Sequence, residues 1–196
     1  MILPIVAYGD AVLKKVAKEI DANYPNVDAL IDNMWETMYN AHGVGLAAPQ
    51  IGLPIRLFVV DASPFADDDE LSTEEQNALT GFKEVFINAE IIEETGEEWS
   101  FNEGCLSIPD VREDVLRKPE ILIRYQDAEF KEHTKRFNGL LARVIQHEYD
   151  HIEGVLFTDK LSSLKKRILK GRLTNISKGK IQADYRMRFP EIKKGR

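Results

Sequence analysis

His147 and His151 stand four residues apart, and Glu148 follows the first of them directly. Four residues are slightly more than one helical turn. On a helix, both imidazoles therefore leave the same face, with Cβ atoms roughly 5–6 Å apart. One ion fits between rings so spaced, and the glutamate reaches water on that ion without itself being a ligand. The chemistry this serves is hydrolysis, because a divalent metal lowers the pKa of bound water to about 7 and supplies hydroxide at neutral pH. The competing reading is two buried histidines bonded to backbone carbonyls, with a solvated glutamate between them.

Two histidines need a third donor. The extended metalloprotease pattern His-Glu-x-x-His-x-x-Gly-x-x-His finds its glycine at Gly154, but Phe157 stands where its last histidine belongs. His42 and His133 lie far upstream, one at the end of a helical stretch and the other in an alternating, strand-like run. The single cysteine, Cys105, lies in Glu103-Gly104-Cys105-Leu106-Ser107. Alone it reads as a small core hydrophobe, but Gly104 permits a tight turn, and the polar Glu103 and Ser107 argue against a plain core strand. A lone Cys forms no disulfide within the chain and fits a reducing compartment. Cys with two His leaves a fourth tetrahedral position for water, the mark of a catalytic rather than a structural site. A third cluster, Gly43-Val44-Gly45-Leu46-Ala47-Ala48-Pro49-Gln50, is a poor helix and a poor strand. It reads as a loop with accessible backbone amides, and Gln50 adds a side-chain donor suited to a developing oxyanion.

The elements that must position these residues follow from periodicity. Leu140, Leu141, Val144, Ile145 and Ile152 recur at helical spacing. His147 and His151 extend the stripe of Leu140 and Val144, and Gly154 is the stop signal. An amphipathic helix over 28–40 opens after Pro25-Asn26 and turns Leu30, Ile31, Met34, Trp35 and Met38 inward. Strand-like runs follow at 56–61, 84–88, 98–101, 121–126 and 130–137, the last two joined as a hairpin. Strands grouped before a motif helix predict an α+β fold, with antiparallel β-sheets packed around a central motif-bearing α-helix. A mass of 22.4 kDa supports one core, with a single catalytic domain over 1–160 and a basic extension over 161–196 packed on or extending from it. The acidic stretch 63–81 reads as a solvated loop with at most a short helical turn.

Taken in order, the three clusters resemble the motifs of peptide deformylase, a metal-dependent bacterial-type family, and the similarity runs from about residue 10 to 161. The resemblance implies removal of the formyl group from N-formylmethionyl nascent peptides. It implies metal ligands Cys105, His147 and His151, with Glu148 as general base and then acid toward hydroxide attack. The Gln50 amide and the Leu106 backbone N–H would form the oxyanion hole. Val44, Gly45, Gly104, Arg112, Arg143 and Val144 would contact substrate, with Val44, Arg143 and Val144 bordering the methionine pocket, and Arg117 would pair with Glu103 to hold the cysteine loop. On ligand type alone the site reads as zinc. The resemblance points to Fe2+, with Zn2+, Ni2+ or Co2+ as substitutes, and ligand softness does not decide between them.

Charge divides the chain sharply. Residues 1–159 carry 13 Lys/Arg against 31 Asp/Glu, while 160–196 carry 13 against 2. Such an arm either docks on a polyanion, here ribosomal RNA near the emerging substrate, or packs on its own acidic body. With no transmembrane run or secretory segment, a cytoplasmic enzyme without membrane contact is expected. A metallo-endopeptidase and a non-catalytic zinc module are the rival functions. The first is opposed by Cys105 and the 43–50 cluster, the second by the lack of a second cysteine.

Overall fold

The structure, a computed structural model, describes residues 1–190. In chain order it runs through β1 (Ile5–Val6), α1 (Val27–Asn40), β2 (Gly45–Ala47), β3 (Leu57–Asp61), α2 (Thr73–Leu79), β4 (Lys83–Thr95), β5 (Trp99–Cys105) and β6 (Ile108–Arg117). It continues with β7 (Glu120–Gln126), β8 (Glu132–Asn138), α3 (Gly139–Ile152), α4 (Ser163–Ser177) and β9 (Met187–Arg188). Five strands form one antiparallel sheet in the order β2-β3-β4-β7-β8. A separate hairpin pairs β5 with β6, and β1 pairs β9 in parallel.

The expected α+β arrangement is present, with α3 at its centre. Leu140, Leu141, Ala142, Val144, Ile145 and Ile152 of α3 share one core with Phe58, Val60, Phe86, Ile121 and Ile123 of the large sheet. This helix buries most of its circumference because the sheet covers one side and the β5–β6 hairpin reaches another. Gly154 ends it in a left-handed conformation at φ +71°, close against the backbone of Lys14, as an αL cap requires. On α1 the buried stripe is Val27, Ile31, Met34, Thr37 and Met38. Leu30 and Trp35 flank it, half-buried.

Three local expectations change. Residues 45–47 are not loop but the edge strand β2, because Gly45, Leu46 and Ala47 pair with Val60, Val59 and Phe58. Ala48–Ile51 then forms a 3-10 turn that carries Gln50. Strand pairing to β3 overrides the weak local propensity of small residues. Within 63–81, α2 makes two full turns because Ser72 and Glu75 cap it reciprocally. The strand expected at 84–88 extends to Thr95 through two register shifts that keep it paired to β7.

In the C-terminal arm, Leu169, Leu173 and Ile176 of α4 join a core cluster with Val6, Leu13, Ile108, Val115 and Phe157. Lys166, Arg167, Lys170 and Arg172 face solvent. The last six residues of the basic extension, 191–196, lie outside the described residues.

Candidate metal centre

The helical spacing of α3 puts His147 and His151 side by side, with ring centroids 5.1 Å apart and planes at 83°. The β5–β6 hairpin brings Cys105 to them although 41 residues separate it from His147. One donor atom from each of Cys105, His147 and His151 lies within 4.8 Å of the others, and the Cys105 Sγ is 3.4 Å from His151 Nε2. A tetrahedral ion with bonds of about 2.0–2.3 Å spaces neighbouring donors roughly 3.5 Å apart. The donor set therefore fits a divalent metal in both chemistry and spacing. Phe157, where a protease of the extended pattern carries its third histidine, is buried and stacks 6.2 Å from the His147 ring.

His147 is oriented from behind. Its Nδ1 meets Glu103 Oε2 at 3.0 Å, which turns Nε2 toward the cysteine and His151. Glu103 is itself held by Arg117, through Nε to Oε1 at 2.7 Å and Nη2 to Oε2 at 3.0 Å, and by Arg143 Nη1 to Oε1 at 3.0 Å. Burial alone would push the Glu103 carboxyl up, but the hydrogen bonds from His147 and Arg117 hold it well below the usual carboxylate range. Burial pushes His151 well down, reinforced by charge on His147.

Glu148 is buried against Gly45, where a Cβ would come within 2.4 Å of its Oε1. Its Oε2 has no hydrogen-bond partner among the described residues. Burial raises its carboxyl to about 7 in the metal-free protein, a value suited to exchanging a proton near neutrality. Gln50 is fixed in one orientation because its Oε1 accepts the Ala47 N–H at 2.8 Å. Its Nε2 then points at Cys105 Sγ (3.5 Å) and Ser107 Oγ (3.4 Å).

Gln50, Glu103, Cys105, His147 and Glu148 line one cavity of about 810 Å³, with Val44, Gly45, Gly104, Leu106, Arg112 and Val144 on its walls. Arg112 is tied to Asn102 through Oδ1 (2.9 Å) and the carbonyl (2.6 Å). Its side chain packs on Gly104, where an added Cβ would come within 2.8 Å. Arg143 borders the cavity, but its guanidinium is committed to Glu103, to the carbonyls of Val115 and Trp99 at 3.0 and 2.7 Å, and to the Trp99 ring face. It is a clamp between hairpin and helix more than a side-chain wall. Two participants carry no sequence signal of their own. Asp150 accepts from Arg117 Nη1 at 2.7 Å, and the Tyr185 hydroxyl donates to the Leu106 carbonyl at 2.7 Å.

The family described as Polypeptide deformylase matches residues 2–167. A peptide deformylase from Christiangramia forsetii is 66% identical over all 196 residues, covering 100% of both chains. One from Salinibacter ruber is 49% identical, covering 94% of this chain and 93% of its own. Among solved structures, a peptide deformylase from Legionella pneumophila superimposes with a TM-score of 0.76 at 35% identity, covering 92% of this chain and 98% of that one. The one from Thermotoga maritima gives 0.71 at 36% identity, covering 83% and 99%.

Proposed function

The chain belongs to the polypeptide deformylase family, and on that premise we propose how its residues divide the work of the reaction. The family's activity, and this chain's, is hydrolytic removal of the N-formyl group from formyl-methionyl nascent peptides. The family is metal-dependent. Cys105, His147 and His151 would hold the ion, and the observation that carries this assignment is the convergence of their donor atoms within 4.8 Å beside the unpartnered Glu148 carboxylate. When bound, a divalent cation supplies Lewis acidity toward water and the formyl oxygen.

The chain's own groups do the rest. Glu148 accepts a proton as water adds to the formyl carbon, then returns it to the amine nitrogen as the carbon–nitrogen bond breaks and formate leaves. The Gln50 Nε2 and the Leu106 N–H receive the charge that develops on the formyl oxygen. Val44 and Val144 enclose the methionine side chain, with Arg143 holding the wall behind them. Gly45 and Gly104 border the substrate, their missing side chains leaving room for Glu148 and Arg112, and Arg112 marks the cavity rim. Glu103 and Arg117 keep His147 and the hairpin in register.

Fe2+ is the ion proposed in the cell, with Zn2+, Ni2+ or Co2+ able to replace it. The support is the family resemblance. Protein purified without oxygen should contain close to one iron per chain and release formate from formyl-Met peptides, but not cleave unformylated ones. Glu148→Ala should keep the metal and lose turnover by at least about 10²-fold. Near-normal turnover of that variant would contradict the assigned proton carrier.

The arm and the location complete the proposal: a cytoplasmic enzyme whose α4 docks on ribosomal RNA. Its support is the solvent-facing row Lys166, Arg167, Lys170 and Arg172. The opposing observation is that Lys165 pairs with Glu113 at 2.7 Å and Lys160 with Asp150 at 3.4 Å, which spends part of the positive charge on the body itself. No helix among the described residues is long and apolar enough to cross a membrane. Reversing Lys166, Arg167 and Lys170 to Glu should abolish low-salt co-sedimentation with ribosomes. Unchanged co-sedimentation ends the docking idea.

A further inference from the structure

The hairpin that carries Cys105 turns through only two residues, Leu106 and Ser107, since Cys105 pairs with Ile108. Two-residue hairpin loops hold their own shape best when the first residue has positive φ, as types I′ and II′ require. Neither Leu106 nor Ser107 does. The turn is instead held from outside by three ties. The Tyr8 N–H donates to the Ser107 carbonyl at 2.8 Å. Gln50 Nε2 reaches Ser107 Oγ at 3.4 Å. The Tyr185 hydroxyl donates to the Leu106 carbonyl at 2.7 Å, across 79 positions of sequence.

The first and third ties share one origin. Strand β1 leads into Tyr8, and Tyr185 precedes β9, so the parallel β1–β9 pair delivers both. The Ile5 N–H to the Arg186 carbonyl (2.9 Å) and the Ala7 N–H to the Arg188 carbonyl (2.8 Å) lock that pair. Beyond α4 the chain therefore returns across the molecule, and Gln182, Ala183, Asp184 and Tyr185 line the same cavity as Cys105 and Glu148. Bonds on the carbonyls of Leu106 and Ser107 hold the two peptide planes that follow the Leu106 amide, and the pairing of Cys105 with Ile108 holds the strand before it, so the direction of that amide is restricted from both sides.

We propose that Tyr185 is a positioning residue for deformylation, tying the Leu106–Ser107 turn so that the Leu106 amide faces the developing oxyanion. This deepens the site described above and rests on the Leu106 amide being an oxyanion donor. It gives the C-terminal return a catalytic purpose distinct from the charge of α4. A neutral hydrogen bond acting through geometry should be worth about tenfold in rate, realised in the transition state and not in substrate binding.

The test is Tyr185→Phe in the full chain, which removes the hydroxyl and keeps the ring. Expected are a kcat for a formyl-Met tripeptide about tenfold lower, a KM within about twofold of wild type, and unchanged metal content per chain. In metal-free protein, the amides of residues 106–108 should exchange with solvent about tenfold faster. A wild-type kcat overturns the proposal, as does unchanged exchange, or a rate loss that disappears when normalised to bound metal. Gln50→Ala measured in parallel separates the two levels. Wild-type kcat in both variants means the oxyanion reading itself fails, whereas a slow Gln50→Ala beside a wild-type Tyr185→Phe sinks the tie alone.

Discussion

Glu103→Gln changes one oxygen to an NH2 group and almost nothing in volume, yet it should weaken both the fold and the metal site. In the native protein, Oε1 accepts from Arg117 Nε and Arg143 Nη1, and Oε2 accepts from Arg117 Nη2 and His147 Nδ1. Whichever way the glutamine amide is turned, its NH2 faces two donors. Placing NH2 at the Oε2 position opposes one guanidinium and one imidazole instead of two guanidinium contacts, so that orientation is preferred. His147 relieves the clash by shifting its proton: Nδ1 becomes the acceptor and Nε2 carries the hydrogen. An Nε2–H has no lone pair for a metal. Removing one member of a buried ion pair costs about 3–5 kcal/mol, and here the carboxylate and both arginines are no more than 5% exposed. At roughly 2–4 °C per kcal/mol for a chain of this size, the thermal midpoint should fall by about 6–20 °C. Metal affinity should drop about 10–100-fold through loss of the histidine's supporting partner. Thermal unfolding of the metal-free variant and metal titration of the folded variant measure the two effects separately. A variant with wild-type midpoint and wild-type metal affinity would refute the tautomer argument and the importance of the buried network together.

Gln50→Ala removes the donor whose direction Ala47 sets, and kcat should fall about 10²–10³-fold with metal retained; steady-state kinetics on metal-quantified protein decides this. Gly45→Ala places a methyl 2.4 Å from Glu148 Oε1 and 2.7 Å from its Cγ. The displaced carboxylate should lower kcat by about 10² while metal content is preserved, and a fully active variant would mean the close approach is not needed. Asp61 supplies a pH prediction away from the metal site. Burial raises its carboxyl, but hydrogen bonds from Tyr39 (2.6 Å) and Ser63 (3.0 Å) outweigh that and leave it lowered. Its stabilisation is therefore present above the unfolded-state value of about 4 and lost as pH falls through the lower folded value. Asp61→Asn should flatten the acid limb of unfolding, and an unaltered limb would remove Asp61 from the account.

Much of the chemistry was legible without coordinates because it is local. The four-residue spacing of His147 and His151 gives a shared face on any helix, and the apolar stripe from Leu140 to Ile152 says which way that face turns. The type of Cys105 restricts what it can ligate, and the glycines beside it and at 43–45 announce close backbone approach. The continuous apolar run of β3 and the strand-like alternation of β7 and β8 placed most of the large sheet.

What was not legible depends on partners far apart in sequence. No local pattern distinguishes a small-residue loop at 45–47 from an edge strand; the pairing with β3 decides it. The resemblance placed Arg143 beside the methionine pocket; it does border the cavity, and only the tertiary structure reveals that its guanidinium is committed to Glu103 and to the carbonyls of Val115 and Trp99. Arg117 gains a second acid, Asp150, from the adjoining turn of α3. Tyr185 reaches Leu106 only because β9 pairs with β1. Helical periodicity and residue type are written in neighbouring positions, but satisfying buried charges and unpaired carbonyls is a property of the packed whole. The sequence therefore determined the metal-binding chemistry, and the tertiary structure determined how rigidly that chemistry is aimed.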